Sequence, residues 1–160
     1  MSVVLLFAGC KPGGQLVNSV DTDKTQLNIT SFEGGFGQDW LYAVADRFMQ
    51  EYEGVSFEDG KQGVQITIQP DEYSLPPTNI TGMNYDVFFY ESIDPNSYIT
   101  RNQFLDITDI VTASNSDGKT IESKLSQHQK DSLKINNSYY CIPHSEGNSA
   151  ITYDRGLFKE

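Results

Sequence analysis

Two short stretches carry residue types and spacing that could do chemistry: Glu33-Gly34-Gly35-Phe36, and Tyr90-Glu91 with Asp94 three residues on. Carboxylates accept paired hydrogen bonds from hydroxyl groups, and aromatic rings stack on apolar C–H faces. Adjacent glycines let backbone approach a ligand closely. Such a set suits a hydroxyl-rich molecule. Paired acids can also flank a scissile glycosidic bond, and Glu33, Asp86, Glu91, Asp94 and Glu146 are candidates for that role. The sequence has no Ser-His-Asp signature, nucleophile elbow or P-loop. Asp21-Thr22-Asp23-Lys24-Thr25 opens like a calcium loop, but Gln26 replaces its turn glycine and Phe32 its closing glutamate. Nothing in the spacing suggests zinc. No metal and no cofactor are expected.

The elements around these residues follow from periodicity. Leu27 and Ile29 alternate with polar neighbours, so Gln26 to Thr30 reads as a strand delivering Glu33. Asp39 opens a helix with Leu41, Val44, Ala45, Phe48, Met49 and Tyr52 on one face and Gly54 as its stop. Its first turns would point their N–H groups toward the Glu33 turn. Trp40 could stack on a ligand, but its place in the first turn favours the core. Val64, Ile66 and Ile68 alternate in a second strand. Pro70, Pro76 and Pro77 impose an extended loop. Asp86 to Tyr90 is a continuous apolar run, expected as a central strand buried on both faces of a parallel sheet. Asp86, at its start, reads as a loop cap. Asp117-Gly118 is a turn. Ser126 with Gln129 forms a capping-box pattern for a helix to about Ile135, ended by Asn136-Asn137. Tyr139 to Ile142 and Ala150 to Tyr153 read as further strands. The fold class is α/β. Leu157-Phe158 reads as a helix just begun, so the chain is expected to be the front of a longer protein.

Charge narrows the partners. The 160 residues hold 11 Lys plus Arg against 22 Asp plus Glu, a net charge of −11. Phosphate backbones are bound by clustered basic residues, so no nucleic acid is expected. Charge-driven docking on anionic lipid is disfavoured for the same reason. No apolar run reaches the roughly 18–20 residues of a membrane span.

Cys10 and Cys141 are the only cysteines. Leu6-Phe7-Ala8-Gly9-Cys10 is similar to the end of a bacterial lipoprotein signal, whose cysteine accepts diacylglycerol. The basic leader is missing and the apolar stretch is short, as a start site placed too far downstream would produce. An ordinary cysteine after an N-terminal strand is the plainer alternative. Lys11 to about Thr25 is polar and turn-rich, a flexible tether. Cys141, in an apolar run, is read as a small buried hydrophobe, with a Cys10–Cys141 disulfide as the minor alternative.

Four stretches together resemble the extracellular solute-binding proteins of bacterial ABC importers, the carbohydrate-binding branch especially. They are Ile29-Thr30-Ser31-Phe32-Glu33-Gly34-Gly35 leading into Trp40-Leu41, Tyr85-Asp86-Val87-Phe88-Phe89, Tyr139-Tyr140-Cys141-Ile142-Pro143-His144, and Ile151-Thr152-Tyr153-Asp154 with Leu157-Phe158. Each is weak alone, and their order and spacing are more specific. The resemblance covers residue 26 to the end. It implies a periplasmic-binding-protein-like (type II) fold of two lobes. Residues 1–10 would be the lipoprotein signal, 11–25 the tether, 26–143 an incomplete first lobe, and 144–160 the hinge crossing and the start of the second lobe. It implies a carbohydrate ligand held by Glu33, Gly34, Gly35, Phe36, Tyr90, Glu91 and Asp94, with His144 and Glu146 on the crossing. It also implies a permease partner and lipid attachment through Cys10 to the extracellular face of the cell membrane, in a Gram-positive cell. No catalysis follows from it. The rivals are a surface glycoside hydrolase and a non-catalytic interaction lipoprotein.

Overall fold

Alternating apolar residues set the first two strands, as the pattern predicts. β1 spans Thr25–Phe32 and β2 spans Val64–Asp71. Between them α1 runs Asp39–Glu51, three residues short of the expected stop at Gly54. β3 is short, Val87–Phe89. A computed structural model describes residues 19–35, 37–144 and 156. These fall into two compact units, the first ending at Asp94 and the second beginning at Pro95. The expected lobe over 26–143 contains this boundary.

In the first unit the strands form one parallel sheet in the order β2-β1-β3. The register runs from Thr25 against Val64 to Phe32 against Asp71, and from Ile29 against Val87 to Ser31 against Phe89. Side chains alternate across a strand, so Ile29 from β1 and Val64, Ile66 and Ile68 from β2 share one face. Leu41 and Ala45 of α1 close on that face, and all six residues are buried. Trp40, Phe48 and Met49 pack at its margin. Each aliphatic side chain so buried contributes about 1.5–3 kcal/mol. The other face carries Asn28, Thr30, Gln65 and Thr67.

The expectation of a central third strand is not met among the described residues. β1 is central and β3 lies at an edge. Single aromatic rings cover β3 in place of full layers. Trp40 lies 5.1 Å from Phe89, centroid to centroid, and Tyr85 stands edge-on to Phe88 at 6.0 Å. Val87 remains 42% exposed. A run apolar on both faces can therefore sit at an edge when loops and a helix end supply its cover.

Part of the segment read as a tether is described, and it is tied down. The Asp21 N–H donates to Gln65 Oε1 at 2.8 Å, and Gln65 Nε2 donates to the Ser19 carbonyl at 3.1 Å. The Gln62 N–H donates to the Asp23 carbonyl at 2.9 Å. Residues 1–18, with Cys10 among them, lie outside the described residues.

The second unit is built from short elements. α2 spans Pro95–Ile99, α3 Thr108–Thr112 and α4 Gln127–Leu133, with a 3-10 turn at Glu122–Lys124. The capping box of α4 is present in full, with Ser126 Oγ accepting from the Gln129 N–H and Gln129 Oε1 from the Ser126 N–H. The helix ends at Leu133, and β4 Lys134–Ile135 turns back on β5 Ser138–Tyr139 as an antiparallel hairpin. Asn136 and Asn137 form its two-residue turn, with φ of 52° and 68°. Asparagine tolerates this left-handed backbone better than most residues. Val111 and Tyr139 are fully buried here. Tyr139 is bound at three points: its carbonyl accepts from Ile107, its N–H donates to Thr108 Oγ1, and its hydroxyl donates to Glu122 at 2.8 Å. Tyr98 stacks on Phe104 at 4.7 Å. The expected strand at 150–153 lies outside the described residues. Among the described residues no helix is long and apolar enough to cross a membrane.

Candidate functional site

Three parallel strands point their carboxyl ends to one edge, and the order β2-β1-β3 makes that edge a topological switch point. From β1 the chain moves to one neighbour and then to the opposite side, which leaves the loops after β1 and β3 splayed apart. Open α/β sheets bind ligands at such places. Glu33-Gly34-Gly35 leaves β1 there, Asp71 to Leu75 leaves β2, and Tyr90-Glu91 leaves β3.

The Glu33 turn is fixed by backbone contacts. The Glu33 N–H donates to the Asp71 carbonyl at 2.9 Å, which carries the β1–β2 ladder one residue past the strand. The Glu33 side chain is left exposed. Gly35 has φ of 68°, in the left-handed region that favours glycine. Gly34 is needed for space, since a Cβ there would lie 2.3 Å from Cζ of Phe32. The close approach this glycine permits is that of the chain's own Phe32. Gln38, 8% exposed, donates from Nε2 to the Ser31 carbonyl at 2.7 Å and so fastens the start of α1 to β1. Trp40 donates from Nε1 to the Gly37 carbonyl and packs on Phe89. It sits at the core margin, as its place in the first turn implied. Phe36 lies outside the described residues.

Tyr90 is the most constrained member. Its hydroxyl donates to Asp71 Oδ2 at 2.6 Å. Asp71 ends β2 and Tyr90 follows β3, so the bond spans the central strand. Burial, with the Asp71 carboxylate second, pushes the Tyr90 phenol up to about 12. It is therefore a hydrogen-bond donor across the neutral range. Glu91 is exposed, and its N–H donates to the Ser74 carbonyl at 3.2 Å. Asp94 is exposed at the end of the first unit.

Asp86 has a purely structural place. Its Oδ2 accepts from the Asn28 N–H at 2.8 Å, and its own N–H donates to the Asn28 carbonyl at 2.8 Å. It is a cap, as its position before the apolar run suggested. His144 is exposed in the second unit, and Glu146 lies outside the described residues. Cys141 is half-buried, and burial pushes its thiol above the ordinary value.

Asp71 and the exposed Tyr73 beside it were missed from sequence. Applying to β2 the carboxyl-end rule used for the other strands would have found them. No Lys, Arg or His occurs at 33–35, 71–75 or 90–94. These three loops therefore offer acceptors and rings and carry no cation of their own. Among the described residues no group of His, Cys, Asp and Glu could hold a metal ion. No protein-family model matches this chain, and no curated protein matches it either.

Proposed function

We propose that this protein is the substrate-binding component of an ABC importer, anchored to the outer face of the cell membrane by lipid on Cys10. It captures a sugar or oligosaccharide and hands it to a membrane permease. In this reading the first unit is part of a type II periplasmic-binding-protein-like lobe. Glu33, Gly34, Gly35 and Phe36 would line the ligand with Tyr90, Glu91 and Asp94. Affinity arises as contacts to two lobes shift the population toward a closed state, with no bond broken.

The observation that carries the reading is the β2-β1-β3 switch point, with an anchored tyrosine and exposed carboxylates on the loops leaving it. Planar acceptors and a ring of fixed orientation are what a pyranose needs, with its hydroxyl edges and apolar faces. The absence of basic residues in these loops fits a donor-rich, uncharged ligand.

The test is calorimetric titration of the full chain with neutral oligosaccharides and with spermidine as a cationic control. Binding of a sugar without release of shorter products supports the proposal. Product release would make the protein a glycoside hydrolase instead. Heat from spermidine alone would replace the sugar with an amine. Glu91→Ala is expected to weaken sugar binding while the thermal melt changes little. Tyr90→Ala is expected to weaken binding and also lower the melt, because its bond to Asp71 is lost. Unchanged titrations for both would remove the site assignment.

A further inference from the structure

The carboxylate of Asp71 is engaged on both oxygens, and both partners are tyrosines. Oδ2 accepts from the Tyr90 hydroxyl at 2.6 Å, and Oδ1 accepts from the Tyr73 N–H at 3.0 Å. The Asp71 main-chain carbonyl takes the Glu33 N–H at 2.9 Å. One residue thus links the loops leaving all three strands of the sheet.

The two tyrosines are held differently. Tyr90 gives its hydroxyl proton to Asp71, so it can no longer donate to a ligand and its ring is the larger part of what it offers. Tyr73 is 73% exposed, among the most exposed large side chains of the described residues. Its backbone is nonetheless pinned, because a short polar side chain accepting from the N–H two residues on closes a local turn. A ring in water, on a backbone held by the same carboxylate that anchors Tyr90, is placed to meet a ligand rather than to fill a core. Exposed tyrosine serves this purpose well, since it gives large contact area with few rotatable bonds.

We infer that Tyr73 is a further ligand-contacting residue of this site, stacking on a sugar ring, and that Asp71 is the positioning residue that sets both Tyr73 and Tyr90. The inference rests on the proposed carbohydrate-binding reading and names two residues which that reading did not contain. It makes ring faces, rather than hydroxyl groups, the aromatic contribution to specificity.

The experiment titrates the full chain with maltotriose, cellotriose and xylotriose, and compares Tyr73→Ala, Tyr73→Phe, Asp71→Ala and Asp71→Asn. Tyr73→Ala should weaken binding about tenfold, the worth of one aromatic stacking contact. Tyr73→Phe should stay within about threefold of the parent, because the ring survives. Asp71→Ala should lose more than either, and Asp71→Asn should recover part of the loss, since its amide oxygen still accepts a hydrogen bond. A readout outside binding checks positioning: absorbance titration of the phenols should show Tyr90 and Tyr139 titrating late in the parent, and in Asp71→Ala the Tyr90 titration should move earlier while that of Tyr139 stays. If the parent binds a trisaccharide and Tyr73→Ala binds it equally well, the inference falls and the proposed function stands. Equal losses for Tyr73→Phe and Tyr73→Ala would also overturn the stacking role. If the parent binds none of the three sugars, the proposed function and the inference fall together.

Discussion

Asn28 and Asp86 are joined by two hydrogen bonds of 2.8 Å, one to the Asp86 carboxylate and one from its N–H. The carboxylate stands where a strand carbonyl would otherwise stand, so a side chain extends the short β1–β3 ladder. Asp86→Ala leaves the Asn28 N–H without this partner, and about 1–2 kcal/mol of stability should be lost. Asp86→Asn keeps an acceptor and should lose less. Urea denaturation of the three proteins measures this, and equal midpoints would show that the pair does not stabilise the edge.

The fit of Phe32 over Gly34 predicts a coupled pair. Gly34→Ala drives a methyl group into the Phe32 ring and should cost about 1–3 kcal/mol. The same substitution in a Phe32→Ala background should cost much less, because the clash is gone. Gly35→Ala should cost about 1–2 kcal/mol in either background, since its penalty comes from a positive φ. Denaturation of the double-mutant set separates the two causes.

Alkali should weaken the first unit through Tyr90. Its folded value lies at about 12, above the ordinary 10. A raised folded value means that folding favours the protonated phenol. The stabilisation is whole below about pH 10 and is lost as pH rises through about 12. Tyr90→Phe removes this limb, so its stability should fall less steeply across that window. Melting temperatures measured between pH 9 and about 12 test this, and parallel curves would rule it out.

Acid should weaken the second unit through Glu122. Lys134 Nζ at 2.8 Å and the Tyr139 hydroxyl hold its carboxyl below the ordinary 4.5. A lowered folded value gives stabilisation that is present above the ordinary value and is lost as pH falls through the folded one. Glu122→Gln should flatten the acid limb and lower the melt modestly at neutral pH, where the parent keeps this stabilisation. The pair is solvent-exposed, so high salt should shrink the difference between parent and variant.

Much of the first unit was legible because one physical rule wrote each element. Leu27 and Ile29, then Val64, Ile66 and Ile68, alternate because one sheet face carries the apolar core and the other carries polar side chains. Ser126 and Gln129 announce α4 through their reciprocal cap. Legibility ends where the deciding partner is remote in sequence. Val87-Phe88-Phe89 reads as doubly buried, yet Trp40 and Tyr85 cover it at an edge. Asn136-Asn137 reads as a helix end, although its positive φ values serve a hairpin between two-residue strands too short to show alternation. Asp71 looks like an ordinary loop acid until Tyr90 is brought across β1 to meet it.

The central position of β1 also sets an order of events during synthesis. The strand is made first, yet Thr25 waits for Val64 and Ile29 waits for Val87. At about 5–20 residues per second the last partner arrives seconds after the strand it must join. Until then β1 can pair with β2 alone, and its other edge remains open. A sheet of this order is therefore complete only after residue 89 has been made, however early its central strand appears.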